Sequence, residues 1–563
     1  MRRFRSIPRL EGRSAAVLVA LAVCGAAVLG LARGVAEVVE NQYLSLDMPR
    51  LIAVTLHDSL RQALLFVGLP IAAGVLILAA PRSARREGSP QRLTGPLRRH
   101  ARGIGIAAAL LLLVVFTFGA AIEIELREPR PQKPNVVWIV VDALRADHLG
   151  AYGYSRPTSP FLDDWSRRAT LFRRAYTQES YTIASVASFF TSTYPWEHRV
   201  LYDAPSIDAL DSSFVTLAEI LREQDYRTAA FVFNPHLKAR FNFDQGFDVY
   251  DDRQEMFRRF QPDPERFETA QRIHAKTQRL LREHDGSPLF LYLHFRDVHS
   301  PYVPLAPYDE MFPPRDASER EKRISLYDGE IRYTDDWLAR LFTLLAENGI
   351  DASNTLFVYT ADHGEEFQDP HPGDSGGWYH GRTLYEELLH VPLVLSVPGG
   401  RFAGRVVEEP VGLIDLAPTI LDLLDIDWAR FRGQFRGRSL VGPMEGRAAD
   451  ASAVVRAGGN HGRLALIGPR WKYYRSHPPT KRGDPPALIR PSGPETRDFG
   501  EELYDLSADP RESVDLKDRH PEVLAQFRKD ADAMPRSGWE DPLRHEPIDP
   551  KTARELRALG YLE

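Results

Sequence analysis

Hydrophobic residues are arranged in two different ways along this chain. Before residue 125 there are three long apolar stretches without charge, at about residues 14–32, 63–80 and 103–122. Each is close to the roughly 20 residues that a helix needs to cross a bilayer. The pattern predicts a membrane region over residues 1–125 with three transmembrane helices. A cleaved signal peptide is the alternative for the first stretch, but two further stretches follow it.

After residue 134 the apolar runs become short and alternate with helix-like segments. Five runs are rich in branched and aromatic residues: NVVWIVV, YRTAAFVF, PLFLYLHF, NTLFVYTA and VPLVLSV. Helical patterns such as DDWLARLFTLLAENG separate them. This alternation predicts an α/β fold with a mostly parallel sheet covered by helices on both faces. The string REPRPQKP cannot continue a helix, because proline has no amide hydrogen, and it predicts a stalk at residues 126–133.

The placement of arginine predicts how the chain crosses the membrane. Arginines are concentrated at the N-terminus and in the loop from Arg82 to Arg102, whereas the loop from Arg33 to Gln62 carries four acidic residues. Arginine-rich loops remain in the cytoplasm. With three spans, the N-terminus is cytoplasmic and everything after Ile122 is extracytoplasmic. We therefore expect a multi-pass protein of the cell membrane, with the lipid membrane as one partner.

Composition excludes two classes of site. The net charge is -6, and no basic stripe interleaved with aromatic residues appears, so the sequence does not favour a nucleic-acid partner. Cys24 is the only cysteine, so neither a disulfide nor a cysteine-based zinc site can form within one chain.

Metal-ligating residues follow two of the apolar runs. Asp362 and His363 come directly after TLFVYTA, and Asp142 comes directly after NVVWIVV. In open α/β sheets, ligands bind at the carboxyl ends of the strands. We expect these side chains to share one divalent cation, and Gly364 to permit the sharp bend that lets Asp362 and His363 face it together.

Seven motifs occur in the order seen in sulfatases, which are members of the alkaline phosphatase superfamily. They are PNVVWIVVDALRADHLGAYGY, the Thr182 region, LHFRDVHSPY, TADHGEEF, HGRTLYEELLHVPL, VGLIDLAPTILDLL and LYDLSADP. The resemblance implies a catalytic domain over residues 134–432. It also implies a small α+β subdomain over residues 433–563, with a short antiparallel sheet, a final helix and a surface loop from Ser476 to Arg497.

The chain departs from sulfatases at their defining residue. The sulfatase motif begins with a Cys or Ser that is converted to formylglycine and continues with Pro and Arg. Here Thr182 holds the first position, with Ala184 and Val186 in place of Pro and Arg. Threonine cannot become formylglycine, so the chain resembles the threonine-nucleophile branch, which includes phosphodiesterases and envelope phosphoethanolamine and phosphoglycerol transferases. Ser185 is the alternative nucleophile.

The resemblance implies four metal ligands: Asp142, Thr182, Asp362 and His363. Many sulfatases have a second aspartate where this chain has Ala143. Calcium wants six or more oxygen ligands, so zinc or manganese is favoured, with calcium or magnesium as alternatives.

Three histidines complete the implied site. His294 and His299 resemble a spaced pair of histidines in the envelope transferases, and His380 resembles their histidine downstream of the DHGE motif. Any of the three could bind a second cation, hold the phosphoryl oxygens of the substrate or protonate the leaving group, with His299 and His380 as the catalytic candidates. A structural loop role is the alternative for His299, and a satisfied core histidine is the alternative for His294. Asp297 is either a ligand of a second metal or a loop carboxylate. Arg145 and Asn234 are candidate substrate contacts, which only their position in the family implies.

These observations predict a membrane-anchored, metal-dependent hydrolase or transferase that acts on phosphate esters of the envelope or exterior through Thr182. A sulfate-ester hydrolase without formylglycine is one alternative. A non-catalytic binding protein on the same fold is the other.

Overall fold

The computed structural model describes ten ranges of the chain: 133–200, 202–203, 206–253, 269–369, 371, 377–447, 453–458, 463–476, 500–534 and 546–547. They belong to one compact unit, Gln132–Glu563. The three predicted transmembrane helices, the stalk up to residue 132 and most of the predicted surface loop, residues 477–497, lie outside the described residues. Within those residues, no helix is both long and apolar enough to cross a membrane.

The strands are β1 (Asn135–Val141), β2 (Thr170–Tyr176), β3 (Tyr202–Asp203), β4 (Ser206–Ile207), β5 (Arg227–Val232), β6 (Val249–Asp251), β7 (Leu289–Phe295), β8 (Thr355–Ala361), β9 (Glu366–Phe367), β10 (Trp378–Tyr379), β11 (His390–Ser396), β12 (Val406–Val407), β13 (Val411–Gly412), β14 (Val455–Gly458), β15 (Leu464–Ile467), β16 (Trp471–Ser476), β17 (Gly500–Asp505) and β18 (Glu546–Pro547). The α-helices are α1 (Pro160–Ser166), α2 (Thr182–Thr191), α3 (Pro195–His198), α4 (Leu217–Glu223), α5 (Thr269–Arg282), α6 (Tyr308–Met311), α7 (Glu319–Glu347), α8 (Glu386–Leu389), α9 (Leu416–Leu423), α10 (Val441–Met444) and α11 (Pro521–Asp532).

The central sheet has the strand order β12-β2-β11-β8-β1-β7-β5-β6, with β13 also paired to β2. Strand β1 pairs in parallel with β7 and β8, and β5 pairs in parallel with β6 and β7. Strand β11 runs antiparallel to both of its neighbours, β2 and β8. The prediction of a mostly parallel α/β sheet is confirmed, and all five apolar runs form strands of it.

Helices cover both faces of this sheet, which explains why its central strands are apolar on both sides. On one face, Trp138 of β1 packs against Phe189 of α2, with ring centroids 5.0 Å apart. On the opposite face, Phe357 of β8 stacks on Phe342 of α7 at 4.7 Å. Burial of aromatic side chains of this size contributes strongly to stability. The result is a rigid platform whose strand ends carry the candidate site.

The C-terminal sheet is antiparallel, in the order β14-β15-β16-β17. Alternate residues of β16 point to opposite faces, as the period of a strand requires. Tyr474 packs towards Tyr385, which precedes α8, at 5.1 Å between ring centroids. Tyr473 stacks on Phe527 of α11. One face of this sheet therefore packs on the segment that leads into α8, and the other is covered by α11.

Candidate active site

Two aspartates meet at the carboxyl edge of the central sheet. In the parallel pairing of β1 and β8, Val141 lies opposite Ala361, so the next residues, Asp142 and Asp362, emerge side by side. The amide of Ala143 donates to Oδ1 of Asp362 at 3.2 Å, which links the two strand ends. Both aspartates are fully buried. The register of two strands thus brings together carboxylates that are distant in sequence.

Gly364, which follows Asp362 and His363, is required for close packing and not for the predicted sharp bend. Gly364 does not have a left-handed backbone conformation; instead, a Cβ added there would lie 1.9 Å from the carbonyl oxygen of Glu387. The amide of Gly364 donates to the carbonyl of Leu388 at 2.8 Å, and the amide of Glu365 donates to the carbonyl of Glu387 at 3.1 Å. Close packing against α8 therefore requires glycine at this position.

Asp142, Asp362 and His363 form a group with the spacing of metal ligands. Their ligand atoms all lie within 4.8 Å of one another, and Nε2 of His363 is 3.6 Å from Oδ1 of Asp142 and 3.6 Å from Oδ2 of Asp362. Ligands held at about 2.1 Å by a tetrahedral ion are about 3.4 Å apart. Nδ1 of His363 is 2.8 Å from the carbonyl of Gly364. That carbonyl accepts the Nδ1 proton, which leaves the lone pair on Nε2 for a metal.

The unpaired oxygens of this group also fit a cation. Among the described residues, Oδ1 of Asp142 and Oδ2 of Asp362 have no hydrogen-bond partner. A buried carboxylate oxygen without a donor is costly unless a positive charge compensates it. Burial raises the pKa of Asp142, and the neighbouring Asp362 carboxylate raises it further. The chemistry of these residues suits a divalent cation.

Thr182 lies directly beside the group, as the first residue of α2. Its Oγ1 is 3.3 Å from Nε2 of His363. Nδ2 of Asn234 donates to Oγ1 of Thr182 at 3.1 Å and to Oδ2 of Asp142 at 2.6 Å. Asn234 follows the apolar run that forms β5, and only its position in the family drew attention to it in the sequence. The structure places it as the link between the threonine and the aspartate.

His299 and His380 come from different loops and adjoin the same site. The ring of His380 is 4.3 Å from that of His363, and the ring of His299 is 5.0 Å from that of His380, measured between centroids. Nδ1 of His380 is 2.9 Å from Oε1 of Glu365. Although burial opposes it, the Glu365 carboxylate raises the pKa of His380. Burial, followed by the charge of Arg296, lowers the pKa of His299.

Glu365 had no role in the sequence interpretation beyond its motif. Its carboxylate binds His380 through one oxygen, and its other oxygen accepts a hydrogen bond from the hydroxyl of Tyr302 at 2.8 Å. Glu365 is fully buried and therefore holds the His380 ring in one orientation. The signal in the sequence was its position next to Gly364, on the loop that leads away from Asp362 and His363.

His294 adjoins the aspartates rather than the other histidines. It lies on β7 and is fully buried, with Nε2 3.6 Å from Oδ2 of Asp362. Neither of its ring nitrogens has a hydrogen-bond partner within the described residues. It is therefore not a core histidine satisfied by protein hydrogen bonds, and it faces the same carboxylate that fits a metal.

Three residues considered in the sequence have other partners. The Ser185 hydroxyl donates to the carbonyl of Glu179 at 2.7 Å, which fixes the loop before α2. Asp297 accepts from the amide of Ala270 at 2.9 Å and from the hydroxyl of Thr269, so it caps α5 as a loop carboxylate, and burial raises its pKa to about 6. The Arg145 guanidinium pairs with Asp147 and Asp369.

Comparison with known proteins agrees with this arrangement. The family model for sulfatases matches residues 134–426, which is just over half of the chain. The chain is 25% identical over 407 residues to the multifunctional alkaline phosphatase superfamily protein PehA of Trinickia caryophylli, covering 55% of this chain and 76% of that protein. It is 21% identical over 488 residues to the N-acetylgalactosamine-6-O-sulfatase of Bacteroides thetaiotaomicron, covering 70% of this chain and 92% of that protein.

A solved structure shares the fold. The phosphonate monoester hydrolase of Agrobacterium radiobacter aligns with a TM-score of 0.54 at 20% identity, covering 71% of this chain and 94% of that chain. The match of the family model and the order of elements around the site lead to one conclusion. The chain belongs to the sulfatase family and is a hydrolase of the alkaline phosphatase superfamily.

Proposed function

We propose that this protein is a metal-dependent phosphoester hydrolase or phosphotransferase that uses Thr182 as its nucleophile. The observation that carries the proposal is the position of the Thr182 hydroxyl. Thr182 is the first residue of α2. Its Oγ1 lies 3.3 Å from Nε2 of His363 and accepts a hydrogen bond from Nδ2 of Asn234. Nucleophilic hydroxyl groups are weak until a neighbouring charge or base activates them.

The residues around Thr182 suit attack on a tetrahedral anion. A divalent cation held by Asp142, Thr182, Asp362 and His363 would lower the pKa of the hydroxyl and neutralise charge on the transferring group. Thr182 lies at the N-terminus of α2, where the backbone amides and the dipole of a helix favour negative charge. The side-chain amide of Asn234 donates to the Thr182 hydroxyl and to Asp142, and so fixes the position of one relative to the other.

The reaction proceeds in two displacements. The Thr182 hydroxyl gives its proton to solvent and Oγ1 attacks phosphorus in line. The bond from phosphorus to the substrate alcohol breaks, and His380 donates a proton to the departing oxygen. Glu365 keeps the His380 ring oriented for that transfer. In the second step, water or another alcohol gives its proton to the now neutral His380 and attacks the phosphothreonine, and the bond from phosphorus to Oγ1 breaks and releases Thr182. Water makes the enzyme a hydrolase, and a second alcohol makes it a transferase.

Phosphoryl transfer is favoured over sulfuryl transfer because the residue in the nucleophile position, Thr182, is a threonine. A sulfated formylglycine hydrate expels sulfate by elimination, but a sulfated threonine has no such exit. A phosphothreonine is opened by a second in-line attack. The competing function is hydrolysis of sulfate esters, since the relatives of the chain include sulfatases.

A panel of matched esters tests the proposal. The phosphate monoester, phosphate diester and sulfate ester of one alcohol are compared with the full-length protein, with Thr182→Ala and with Ser185→Ala. We expect phosphate esters to react faster, Thr182→Ala to remove turnover of every ester, and Ser185→Ala to retain most of it. A sulfate ester that reacts faster than its phosphate analogue contradicts the phosphoryl assignment.

The donor set favours zinc or manganese as the cation. Two carboxylates, one hydroxyl and one imidazole offer few oxygens, whereas calcium takes six to eight and magnesium demands an octahedral shell. Metal analysis of the purified protein, followed by reconstitution with each ion, identifies the one that restores turnover. Activity with calcium alone contradicts this preference.

We also propose that the catalytic unit lies outside the cytoplasm and that the three apolar stretches anchor it in the cell membrane. Arginine-rich segments before the first stretch and between the second and third support this orientation. A reporter that is active only outside the cytoplasm should work when fused after Glu563 and fail when fused between Arg82 and Arg102. The reverse pattern contradicts the orientation.

A further inference from the structure

Lys472 of β16 is fully buried in an ionic cluster between the C-terminal sheet and α8. Its Nζ lies 2.8 Å from Oε1 of Glu512 and 3.2 Å from Oε1 of Glu386. Lys472 and Glu512 are both 0% exposed. Burial alone lowers the pKa of the Lys472 ammonium, but the carboxylates of Glu512 and Glu386 raise it overall. Removing one member of such a group leaves a buried charge uncompensated.

The second oxygen of Glu512 holds the start of α8. Oε2 of Glu512 accepts a hydrogen bond from the amide of Glu386 at 2.7 Å, and Glu386 is the first residue of that helix. The backbone of Glu512 is itself left-handed, with φ of 53°, a conformation that non-glycine residues seldom adopt. Its carboxylate therefore joins the ammonium of Lys472 to a backbone amide that would otherwise have no intrahelical acceptor.

The other end of α8 supports the turn that carries the metal ligands. The carbonyls of Glu387 and Leu388 accept hydrogen bonds from the amides of Glu365 and Gly364. Gly364 approaches so closely that no side chain fits there. His363 therefore lies between β8 on one side and two hydrogen bonds to α8 on the other. A displacement of α8 moves the imidazole that faces Thr182.

We propose that Lys472 is a positioning residue for the metal centre. Together with Glu512 it fixes α8, and α8 fixes the turn that carries His363. The inference rests on the proposed function for the identity of the metal ligands, and it extends the site into the C-terminal sheet. Partners beyond the ligands of a metal commonly control affinity in this way.

The same region contains a second group with metal-ligand spacing, formed by His371, Glu387 and Glu512. Nε2 of His371 is 2.6 Å from Oε1 of Glu387. The ammonium of Lys472 already neutralises Glu512, so a divalent ion there would lie against a positive charge. We therefore interpret the group as ionic support for α8, and a second metal as an outcome that the test must distinguish.

The test compares Lys472→Met with Arg475→Met in the full-length protein. Both residues lie on β16, but Arg475 points to the opposite face and donates to Asp532 of α11 at 2.9 Å. Both variants should lower the unfolding temperature. Competition with a chelator measures the affinity for zinc and manganese. We expect Lys472→Met to weaken metal binding by about 10-fold to 100-fold, and Arg475→Met to keep the wild-type affinity.

A milder variant covers the case in which Lys472→Met does not fold. Glu512→Gln retains an acceptor for the amide of Glu386 but loses the charge, so metal affinity should fall by less than in Lys472→Met. Wild-type affinity in a folded Lys472→Met or Glu512→Gln protein, or equal losses in Lys472→Met and Arg475→Met, overturns the proposal. Loss of one of two bound ions in His371→Ala, with the other retained, also overturns it.

The result separates this inference from the proposed function. Metal affinity is measured without any substrate. If the variants show the expected metal affinities but the wild-type protein turns over no ester, the positioning role of Lys472 stands and the proposed reaction is wrong. Metal affinity in Asp362→Asn that equals the wild-type affinity contradicts both the role of Lys472 and the proposed function.

Discussion

The hydroxyl oxygen of Thr182 lies 3.3 Å from Nε2 of His363, although 181 positions separate the two residues. Thr182 begins a helix on one face of the central sheet, and His363 follows the end of β8. The contact joins the residue we assign as nucleophile to a residue we assign as metal ligand. The proposed activity depends on this pair of residues.

Metal removal should destabilise the wild-type protein. An ion that binds only the folded state stabilises it by about 2.7 kcal/mol when its concentration is 100 times the dissociation constant. We expect a chelator to lower the unfolding temperature of the wild type but not that of Asp362→Asn. Asp415→Asn is the matched control, because buried Asp415 accepts hydrogen bonds from two backbone amides away from the metal group. An identical chelator effect in Asp362→Asn contradicts the site.

Asn234→Ala should slow turnover more than it weakens metal binding. The variant removes the donor shared by Thr182 and Asp142. A hydrogen bond to a charged group contributes about 1.5 to 3 kcal/mol, which corresponds to a loss of about 10-fold to 100-fold in kcat/KM. Asn242→Ala serves as the control, because Nδ2 of Asn242 donates only to Leu210 and Gln245 among the described residues. Equal kinetics for both variants assign Asn234 a purely structural role.

Gly364→Ala should reduce stability and metal affinity together. The added methyl group would overlap the carbonyl oxygen of Glu387, and overpacking of this kind costs about 1 to 3 kcal/mol. Relief of the overlap requires the turn beside His363 to move. At Gly433, by contrast, an added Cβ meets no atom within 4 Å, so Gly433→Ala should change neither property. Chemical denaturation and metal titration of both variants measure the difference.

His380→Ala should impair esters of poor leaving groups most. An alkyl alcohol needs a proton as it departs, whereas nitrophenol leaves readily as its anion. We expect a large drop in kcat for an alkyl phosphodiester and a small one for the nitrophenyl analogue. His390→Ala is the control, since Nε2 of His390 donates to the carbonyl of Arg173 on the neighbouring strand. The same loss for both esters argues against proton donation by His380.

Apolar patterning predicted the strands that are buried on both faces and failed where polar residues interrupt the pattern. Strand β2 was not among the predicted runs, because Arg173 and Arg174 lie in the middle of TLFRRAY. Both guanidinium groups reach backbone carbonyls beyond the strand, at Ala151 and Gly468. The direction of β11 was also beyond prediction, since an apolar run looks the same in parallel and antiparallel pairing.

Motifs located the metal-ligand group, but contacts distant in sequence decided the roles of its neighbours. Asp142 and Asp362 were predictable because both follow apolar strands. The capping role of Asp297 depends on where α5 begins, 28 positions earlier. The close approach of Gly364 depends on α8. Neither relationship has a local signature, so the sequence left Asp297 open and gave Gly364 a different role.

Transfer of a radioactive phosphoryl group to Thr182 would show directly that this residue is the nucleophile. The full-length protein is mixed with a phosphodiester labelled with radioactive phosphorus, quenched in acid within one turnover and digested, and the peptide that contains Thr182 is isolated. The matched sulfate ester with radioactive sulfur is treated in the same way. We expect phosphorus label on Thr182 that is lost when an acceptor is added. The corresponding peptide of the Thr182→Ala variant, which still contains Ser185, should carry no label. Turnover of the phosphodiester without label on Thr182, or with undiminished rate in Thr182→Ala, would contradict the assignment of Thr182 as the nucleophile.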